Sequence, residues 1–200
     1  MPATTMEGVQ VKGAYISAYK NELERVGLLE AVLERASPRL REALETPPPS
    51  SLWIEYVICL EIYQIVRALR GKSALRALTR DSTLSGIAPF MQTFVQGLLR
   101  LFGVSPATLF THLTRISSQT LRGAEFSYVP TSPLSGVLTL TMPDQRDVDP
   151  TVWHASAGGL EVVFATCGVS GTVQEPVVVP DGNSNAVEYR VSWKAKVAGE

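Results

Sequence analysis

The sequence predicts an α+β fold, in which an N-terminal helical part packs on a C-terminal antiparallel sheet that includes one helix. Apolar residues recur every three or four positions over most of residues 1–122, which is typical of helices. From Gly123 onward threonine, valine, glycine and proline dominate, and short alternating runs replace the helical spacing. We expect a single domain over 1–200, with a mainly helical part at 1–122 and a strand-rich part at 123–197.

The helical part is predicted to open with one strand and two helices. Alternation of apolar and polar residues predicts a strand over Val9–Tyr19, and apolar spacing from Leu23 to Leu33 predicts a helix. Ser37, which precedes a proline, is a typical cap for a second helix over Arg39–Glu45. The prolines at 47–49 end that helix, because proline cannot donate to a helical hydrogen bond.

The stretch from Leu52 to Arg70 is predicted to form the central helix, and it is apolar on nearly every side. A surface helix has an apolar stripe on one side only. This helix must therefore be surrounded by other elements or by a second subunit. A membrane span is not expected, since Glu55, Glu61 and Arg67 interrupt the apolar run.

Three further helices are expected before the strand-rich part. A short helix is predicted over Ser73–Thr79 and a longer one over Ile87–Phe102, with a polar loop at 80–86 between them. Pro106 begins the last helix of this part.

The strand-rich part is predicted to follow the order strand, strand, helix, strand, strand. Glycines at 158 and 159 lie inside the helix, where each costs about 1 kcal/mol relative to alanine, so we expect a close backbone neighbour there. A turn is predicted at 180–185. The predicted elements are strands at Phe126–Val129 and Val137–Met142, a helix at Pro150–Cys167, and strands at Val169–Val179 and Ala186–Lys194.

Composition argues against several classes of function. The net charge is −1 and the isoelectric point is about 6.2, so the chain has no basic field for nucleic acid. The first residues lack the basic and apolar blocks of a secretory signal, and Cys59 and Cys167 alone make no disulfide framework. We expect a cytoplasmic protein whose cysteines are free and buried.

Catalytic and metal motifs are not found in the sequence. His112 and His154 are the two histidines, they lie far apart in the chain, and neither belongs to a zinc-type motif. No serine lies in a nucleophile-elbow context. Glu55 and Glu61 inside the apolar helix are candidates for acids with a raised pKa, although such groups more often pair with an arginine or reach the edge of the helix. We expect no enzyme activity and no metal.

Aromatic residues suggest a binding pocket, because small-molecule sites are mostly apolar with a few polar groups. The alternative is that the same side chains only fill the core. The residues assigned to this pocket are Tyr56, Tyr63, Phe94 and Phe110, with Glu61 and His112 as its polar members.

Five segments resemble a large paralogous family of unknown function found chiefly in myxobacteria. They are VKGAY at 11–15, WIEY at 53–56, SPATLF at 105–110, SPLSGVLTL at 132–140 and YRVSW at 189–193. In architecture this family is similar to a wider group that includes haem nitric-oxide-binding domains, vinyl-reductase-type (4VR) ligand domains and Bet3-like subunits of the transport-particle complex. The resemblance implies a helical part packed on a sheet, with an apolar pocket or tunnel between them. It also implies a small-ligand or acyl-chain sensor, or a dimeric scaffold.

Haem is not expected as a cofactor. Haem binders of this group carry a proximal histidine in a LeuHisXxxHisLeu stretch, and the resemblance places Phe110 at that position, two residues before His112. Their TyrXxxSerXxxArg motif does not occur in this sequence.

The leading hypothesis is a non-catalytic, cytoplasmic module that binds an apolar or acyl-type small molecule and works through protein–protein interaction, as a homodimer. One alternative is a structural scaffold subunit of a multiprotein assembly. The other is a small enzyme that uses Glu61, Arg67 and His112 around an internal cavity.

Overall fold

Helices and two antiparallel sheets build the fold, so the predicted α+β class is confirmed. In this computed structural model, residue 6 and residues 8–142, 148–181 and 184–195 are described, apart from the side chains at 87–91, 94, 98–99, 180–181 and 184–185. One hydrophobic core runs through the helical part and the larger sheet. Among the described residues, no helix combines the length and the apolar character that crossing a bilayer requires.

Eight helices and eight strands are found in the described part of the chain. A π-helical turn over Thr83–Ile87 joins the fourth helix to the fifth. The helices are α1 (Ala14–Arg25), α2 (Leu29–Leu33), α3 (Pro38–Glu45), α4 (Val57–Ser82), α5 (Ala88–Phe102), α6 (Pro106–Thr111), α7 (Leu113–Ser117) and α8 (Pro150–Cys167). The strands are β1 (Gln10–Lys12), β2 (Trp53–Glu55), β3 (Leu121–Arg122), β4 (Glu125–Ser132), β5 (Ser135–Met142), β6 (Gly171–Val173), β7 (Val177–Asp181) and β8 (Ser184–Trp193).

A small sheet in the order β2-β1-β3 corrects two predictions. The first strand ends at Lys12 rather than Tyr19, and α1 follows at once. Gly13 lies between β1 and α1. A side chain at this position would collide with the carbonyl of Pro49. The central helix begins at Val57, since Trp53–Glu55 pair with β1 instead. The pairing partners lie about forty residues away in the chain, so local spacing does not indicate them.

The fourth helix continues beyond the predicted end at Arg70. Gly71 has φ 80° and kinks the helix, which then runs on to Ser82. The polar loop predicted at 80–86 is wrong, because these residues form the end of α4 and the π-helical turn. Their hydroxyls donate to carbonyls one turn earlier, as Ser82 does to Leu78 at 2.7 Å and Thr83 to Thr79 at 2.7 Å. Such bonds let short polar side chains remain in a helix.

The eighth helix has the predicted bounds, Pro150–Cys167, and the predicted residues cap both of its ends. The Asp149 carboxylate accepts from the backbone N–H of Thr151 at 2.7 Å, and Gly168 closes the helix with φ 65°. At Gly158 a β-carbon would lie inside contact distance of the Arg76 carbonyl and the Thr79 hydroxyl. The close neighbour predicted for this glycine is therefore confirmed, and it is α4.

The larger sheet has the order β4-β5-β8-β6, and β7 also pairs with β8. Buried and exposed residues alternate along β8, with Tyr189 and Val191 facing the core. The stretch predicted as one strand over Val169–Val179 is two strands, because Pro176 between them cannot donate to a ladder. Two of the edge strands contain a proline, Pro130 in β4 and Pro180 in β7. The predicted turn at 180–185 includes residues 182–183, which lie outside the described residues.

Candidate functional site

A cavity of about 130 Å³ lies between the helical part and the larger sheet. Its lining comes from α1, α4, α7 and α8, with residues of the π-helical turn, of the small sheet and of β4. The described lining consists of apolar side chains and hydroxyl groups, and it includes no charged residue. We call it the tyrosine cavity, after the residues Tyr15, Tyr19, Tyr56 and Tyr63 that line it.

A wider hollow of about 520 Å³ on the surface is a weaker candidate, because its charged groups are already paired. Within it, the Arg25 guanidinium donates to the Glu22 carboxylate at 2.8 Å and to Asp81 at 3.4 Å. The tyrosine cavity is better enclosed and is therefore the candidate site.

Two helices supply the four tyrosines. Tyr15 and Tyr19 are four residues apart on α1 and thus share one face. Tyr56 directly precedes α4, and Tyr63 lies two turns further along that helix. The rings of Tyr19 and Tyr63 meet edge to face with centroids 5.5 Å apart, and their hydroxyl oxygens are 2.6 Å apart. Tyr56 packs against Tyr63 in a similar edge arrangement at 6.1 Å.

Three threonine hydroxyls of the cavity lining donate their protons to backbone carbonyls. Thr79 donates to Leu75 at 3.2 Å, and Thr83 donates to Thr79 at 2.7 Å. Thr120 donates to Ser117 at 3.3 Å. These hydroxyls therefore present oxygen lone pairs, rather than protons, to the cavity.

The ionisable groups of the cavity are neutral at neutral pH, and burial extends this to more alkaline solution. It raises the pKa of Tyr15 to about 12 and raises the pKa values of Tyr19, Tyr56 and Tyr63 further. Cys59, which is fully buried beside these rings, has a pKa raised by the same cause. All five groups hold their protons at neutral pH, so the cavity suits an uncharged ligand.

The tyrosines should make the protein lose stability in alkaline solution. A tyrosine in the unfolded chain loses its proton near about pH 10, whereas Tyr15 in the folded chain keeps it to about pH 12. Between these values the folded state binds more protons, so the free energy of unfolding falls as pH rises, by up to about 1.4 kcal/mol per pH unit for each tyrosine. Below that window these groups contribute no pH dependence. Urea unfolding from about pH 8 to pH 11 measures the slope.

The control for this prediction is Tyr15→Phe, which removes one of the titrating groups. In alkaline solution we expect the free energy of unfolding of this variant to fall less steeply with pH, by about the contribution of one tyrosine. Near neutral pH the dependence on pH should change little. An alkaline slope that is the same in both proteins would contradict the assignment.

Tyr56 and Tyr63, which the sequence pattern places in a pocket, line the cavity. Glu61, on α4 between them, is directed to α3 instead. Its carboxylate accepts from the backbone N–H of Ser37 at 2.6 Å and from the Ser37 hydroxyl at 2.8 Å. Ser37 caps α3, so Glu61 fixes the start of that helix on the central one.

Phe110 lies in a separate aromatic cluster between α6 and the larger sheet. Its ring centroid is 5.5 Å from that of Tyr128, 5.8 Å from Phe164 and 6.2 Å from Trp193. The side chain is 1% exposed and is not part of the described cavity lining.

His112 connects α6 to α7 and is half-buried. Its ring packs against that of Phe102 at 4.9 Å, and it is also not part of the described lining. The side chain of Phe94 lies outside the described residues, although its backbone belongs to α5.

The sequence pattern did not identify the tyrosines of α1 or the hydroxyls of Thr79 and Ser156 as cavity residues. Tyr15, Tyr19 and Leu23 follow helical spacing, which is the signal that could have found α1. The alternation of apolar and polar residues that begins at Val9 predicts a strand over the same residues, so the helical spacing was not recognised. Nothing in the local sequence indicates that α8 brings Ser156 to the same cavity.

Comparison with solved structures shows that the chain has an H-NOX-like fold. The unliganded Fe(II) H-NOX protein from K. algicida is 12% identical, with a TM-score of 0.61 over 94% of this chain and 100% of that chain. A mutant of T. tengcongensis H-NOX is also 12% identical, with a TM-score of 0.61 over 93% of this chain and 99% of that chain. A structure from a study of heme distortion in the H-NOX family is 12% identical, with a TM-score of 0.62 over 94% of this chain and 98% of that chain. The architecture expected from the resemblance is thus confirmed at the level of the fold.

Comparisons by sequence identify no relative. No protein-family profile matches the chain, and no curated protein matches it.

The described lining of the tyrosine cavity does not fit a haem. The volume of about 130 Å³ is near that of a cavity that holds benzene, which is several times smaller than haem. Neither a histidine for the iron nor a cationic side chain for the propionates is found among the described lining residues. Within the same described ranges, no group of three or more His, Cys, Asp or Glu side chains could hold a metal ion.

Proposed function

We propose that this chain is a non-catalytic, cytoplasmic module that binds a small neutral molecule in the tyrosine cavity and acts on a partner protein. The observation that carries this proposal is the cavity itself, which is lined mostly by helices, uncharged in its described lining and partly aromatic. Pockets with this composition favour ligands that are mostly apolar and carry a few polar atoms.

The size of the cavity limits the ligand. A volume of about 130 Å³ is below the range of roughly 300–1,000 Å³ typical of pockets for drug-sized molecules. A ligand of about the size of benzene fits, as does a short acyl group, whereas a long fatty acyl chain does not. The resemblance to the myxobacterial family and to the 4VR and Bet3-like proteins supports a sensory role of this kind.

Chemistry at the cavity favours binding over turnover. General acid–base catalysis requires a group whose pKa lies near the working pH. The described lining offers hydroxyls with raised pKa values, and it has no histidine or carboxylate. The Glu61 carboxylate accepts a hydrogen bond from Ser37 at the start of α3. The alternative of a small enzyme at this site therefore has little support.

Fluorobenzene is the probe that tests the proposal, because it is small, neutral and visible by fluorine NMR. We expect it to bind the native protein and to lose binding in Ala155→Met, since Ala155 lines the cavity on α8 and the longer side chain would fill it. Ala165→Met is the matched control, because Ala165 is exposed on the same helix. Absence of binding to the native protein, or equal binding to all three proteins, would refute the proposal.

Exposed apolar side chains favour a second candidate role, as a contact surface for a protein partner or a second copy. Leu101, Phe102 and Val104, at the end of α5 and just after it, are 78%, 59% and 63% exposed. We propose that the homodimer expected from the sequence uses this surface. Native mass spectrometry reports the oligomer and any retained small molecule together, and a ligand-free monomer at tens of micromolar would count against both roles.

A further inference from the structure

We propose that the ligand of the tyrosine cavity is a small neutral carbonyl compound, held by a hydrogen bond from one tyrosine hydroxyl. This inference rests on the proposed function and adds the chemical class of the ligand. It is based on the number of protons that the tyrosines of the cavity carry.

Two of these tyrosines share a hydrogen bond, and a third packs against them. The hydroxyl oxygens of Tyr19 and Tyr63 are 2.6 Å apart and share one hydrogen bond. The ring of Tyr56 packs against that of Tyr63 with centroids 6.1 Å apart. All three side chains line the cavity and are at least 95% buried, with exposures of 2%, 3% and 5% for Tyr19, Tyr63 and Tyr56.

Counting protons shows that one is left over. Tyr19 and Tyr63 carry one hydroxyl proton each, and the hydrogen bond between them uses one of the two. Whichever of the two hydroxyls donates, the proton of the other has no hydrogen bond to a described residue. A buried donor without an acceptor costs about 1–3 kcal/mol, so this proton needs a ligand or a water in the cavity.

The hydroxyl of Tyr15 has a hydrogen-bond partner outside the tyrosines. It is 3.3 Å from that of Thr120, which itself donates to the Ser117 carbonyl. The Thr120 hydroxyl oxygen can therefore accept the Tyr15 proton, so this proton has a partner within the protein.

The remaining proton defines the class of ligand. A carbonyl oxygen accepts this bond and brings no proton of its own that would need a partner. A carboxylate does not suit the site, because the described lining has no cation to compensate its charge. A pure hydrocarbon of the same shape would leave the tyrosine proton unpaired after displacing water.

Two molecules of nearly the same shape test the inference. Cyclohexanone and methylenecyclohexane differ in a carbonyl oxygen that replaces a CH₂ group, and each can compete with fluorobenzene in the fluorine NMR experiment. We expect cyclohexanone to bind about three- to tenfold more tightly, which corresponds to one neutral hydrogen bond. Equal affinities for the two would overturn the inference and leave the proposed function intact, whereas binding of neither would overturn the proposed function.

A set of tyrosine variants assigns the donor. Removing the hydroxyl of Tyr19 or of Tyr63 alone leaves the other with an unused proton, so the informative variant combines Tyr19→Phe, Tyr56→Phe and Tyr63→Phe. Since all partners are removed together, no buried group is left unsatisfied. We expect the preference for cyclohexanone to disappear in this variant and to persist in the control Tyr15→Phe. A preference that survives in the triple variant would overturn the assignment, and if that variant does not fold, the comparison of the two ligands on the native protein still decides the inference.

Discussion

Replacing Gly158 by alanine is expected to lower the free energy of unfolding by about 3 kcal/mol. The added β-carbon would overlap the carbonyl of Arg76 and the hydroxyl of Thr79, which lie on α4 where it crosses α8. One of these contacts is backbone, so α4 and α8 would have to separate. Urea unfolding of the purified variant measures the loss.

Gly159 provides a matched control for this prediction. It is the next residue of the same helix, and a β-carbon added there would have the Thr83 hydroxyl as its nearest neighbour at 3.9 Å, an ordinary contact. Alanine is favoured over glycine in a helix by about 1 kcal/mol, so Gly159→Ala should stabilise the protein slightly. Similar effects of the two substitutions would show that α4 and α8 do not approach closely at Gly158.

Replacing Phe110 by alanine is expected to cost about 4 kcal/mol. The ring is fully buried in contact with Tyr128, Phe164 and Trp193, so its removal leaves a cavity that these large side chains cannot readily fill. Thermal and urea unfolding measure the loss, and fluorobenzene binding should be retained at temperatures where the variant is folded, because Phe110 is outside the tyrosine cavity.

Phe102→Ala is the control for Phe110→Ala. Phe102 is 59% exposed, and at dilutions where the chain is monomeric its removal should change the free energy of unfolding by less than about 1 kcal/mol. A small loss at Phe110 would indicate that it faces an open pocket rather than the core.

The class of the fold could be predicted from the sequence because the two halves differ in periodicity. The bounds of α8 were predictable as well, since Asp149, Pro150 and Gly168 are local signals for its ends. The small sheet was not predictable in the same way. Trp53–Glu55 form a strand because they pair with Gln10–Lys12, and that pairing depends on contacts distant in sequence.

The candidate site could be predicted in part. The apolar character of α4 on all sides indicates that Tyr56 and Tyr63 lie inside, and both are buried. Whether a buried residue faces a cavity or a packed core depends on the neighbouring elements, which a local pattern does not identify. Glu61 illustrates this limit, because its partner Ser37 lies 24 positions earlier in the chain.

The prolines of the edge strands β4 and β7 have a consequence for behaviour at high concentration. Pro130 in β4 and Pro180 in β7 lack the N–H group that a strand from another molecule would need. An exposed strand with Val177 and Val178 at its surface would otherwise be a template for amyloid-like stacking. The sheet therefore resists growth by strand addition along β4 and β7, and the remaining edge strand, β6, is only three residues long.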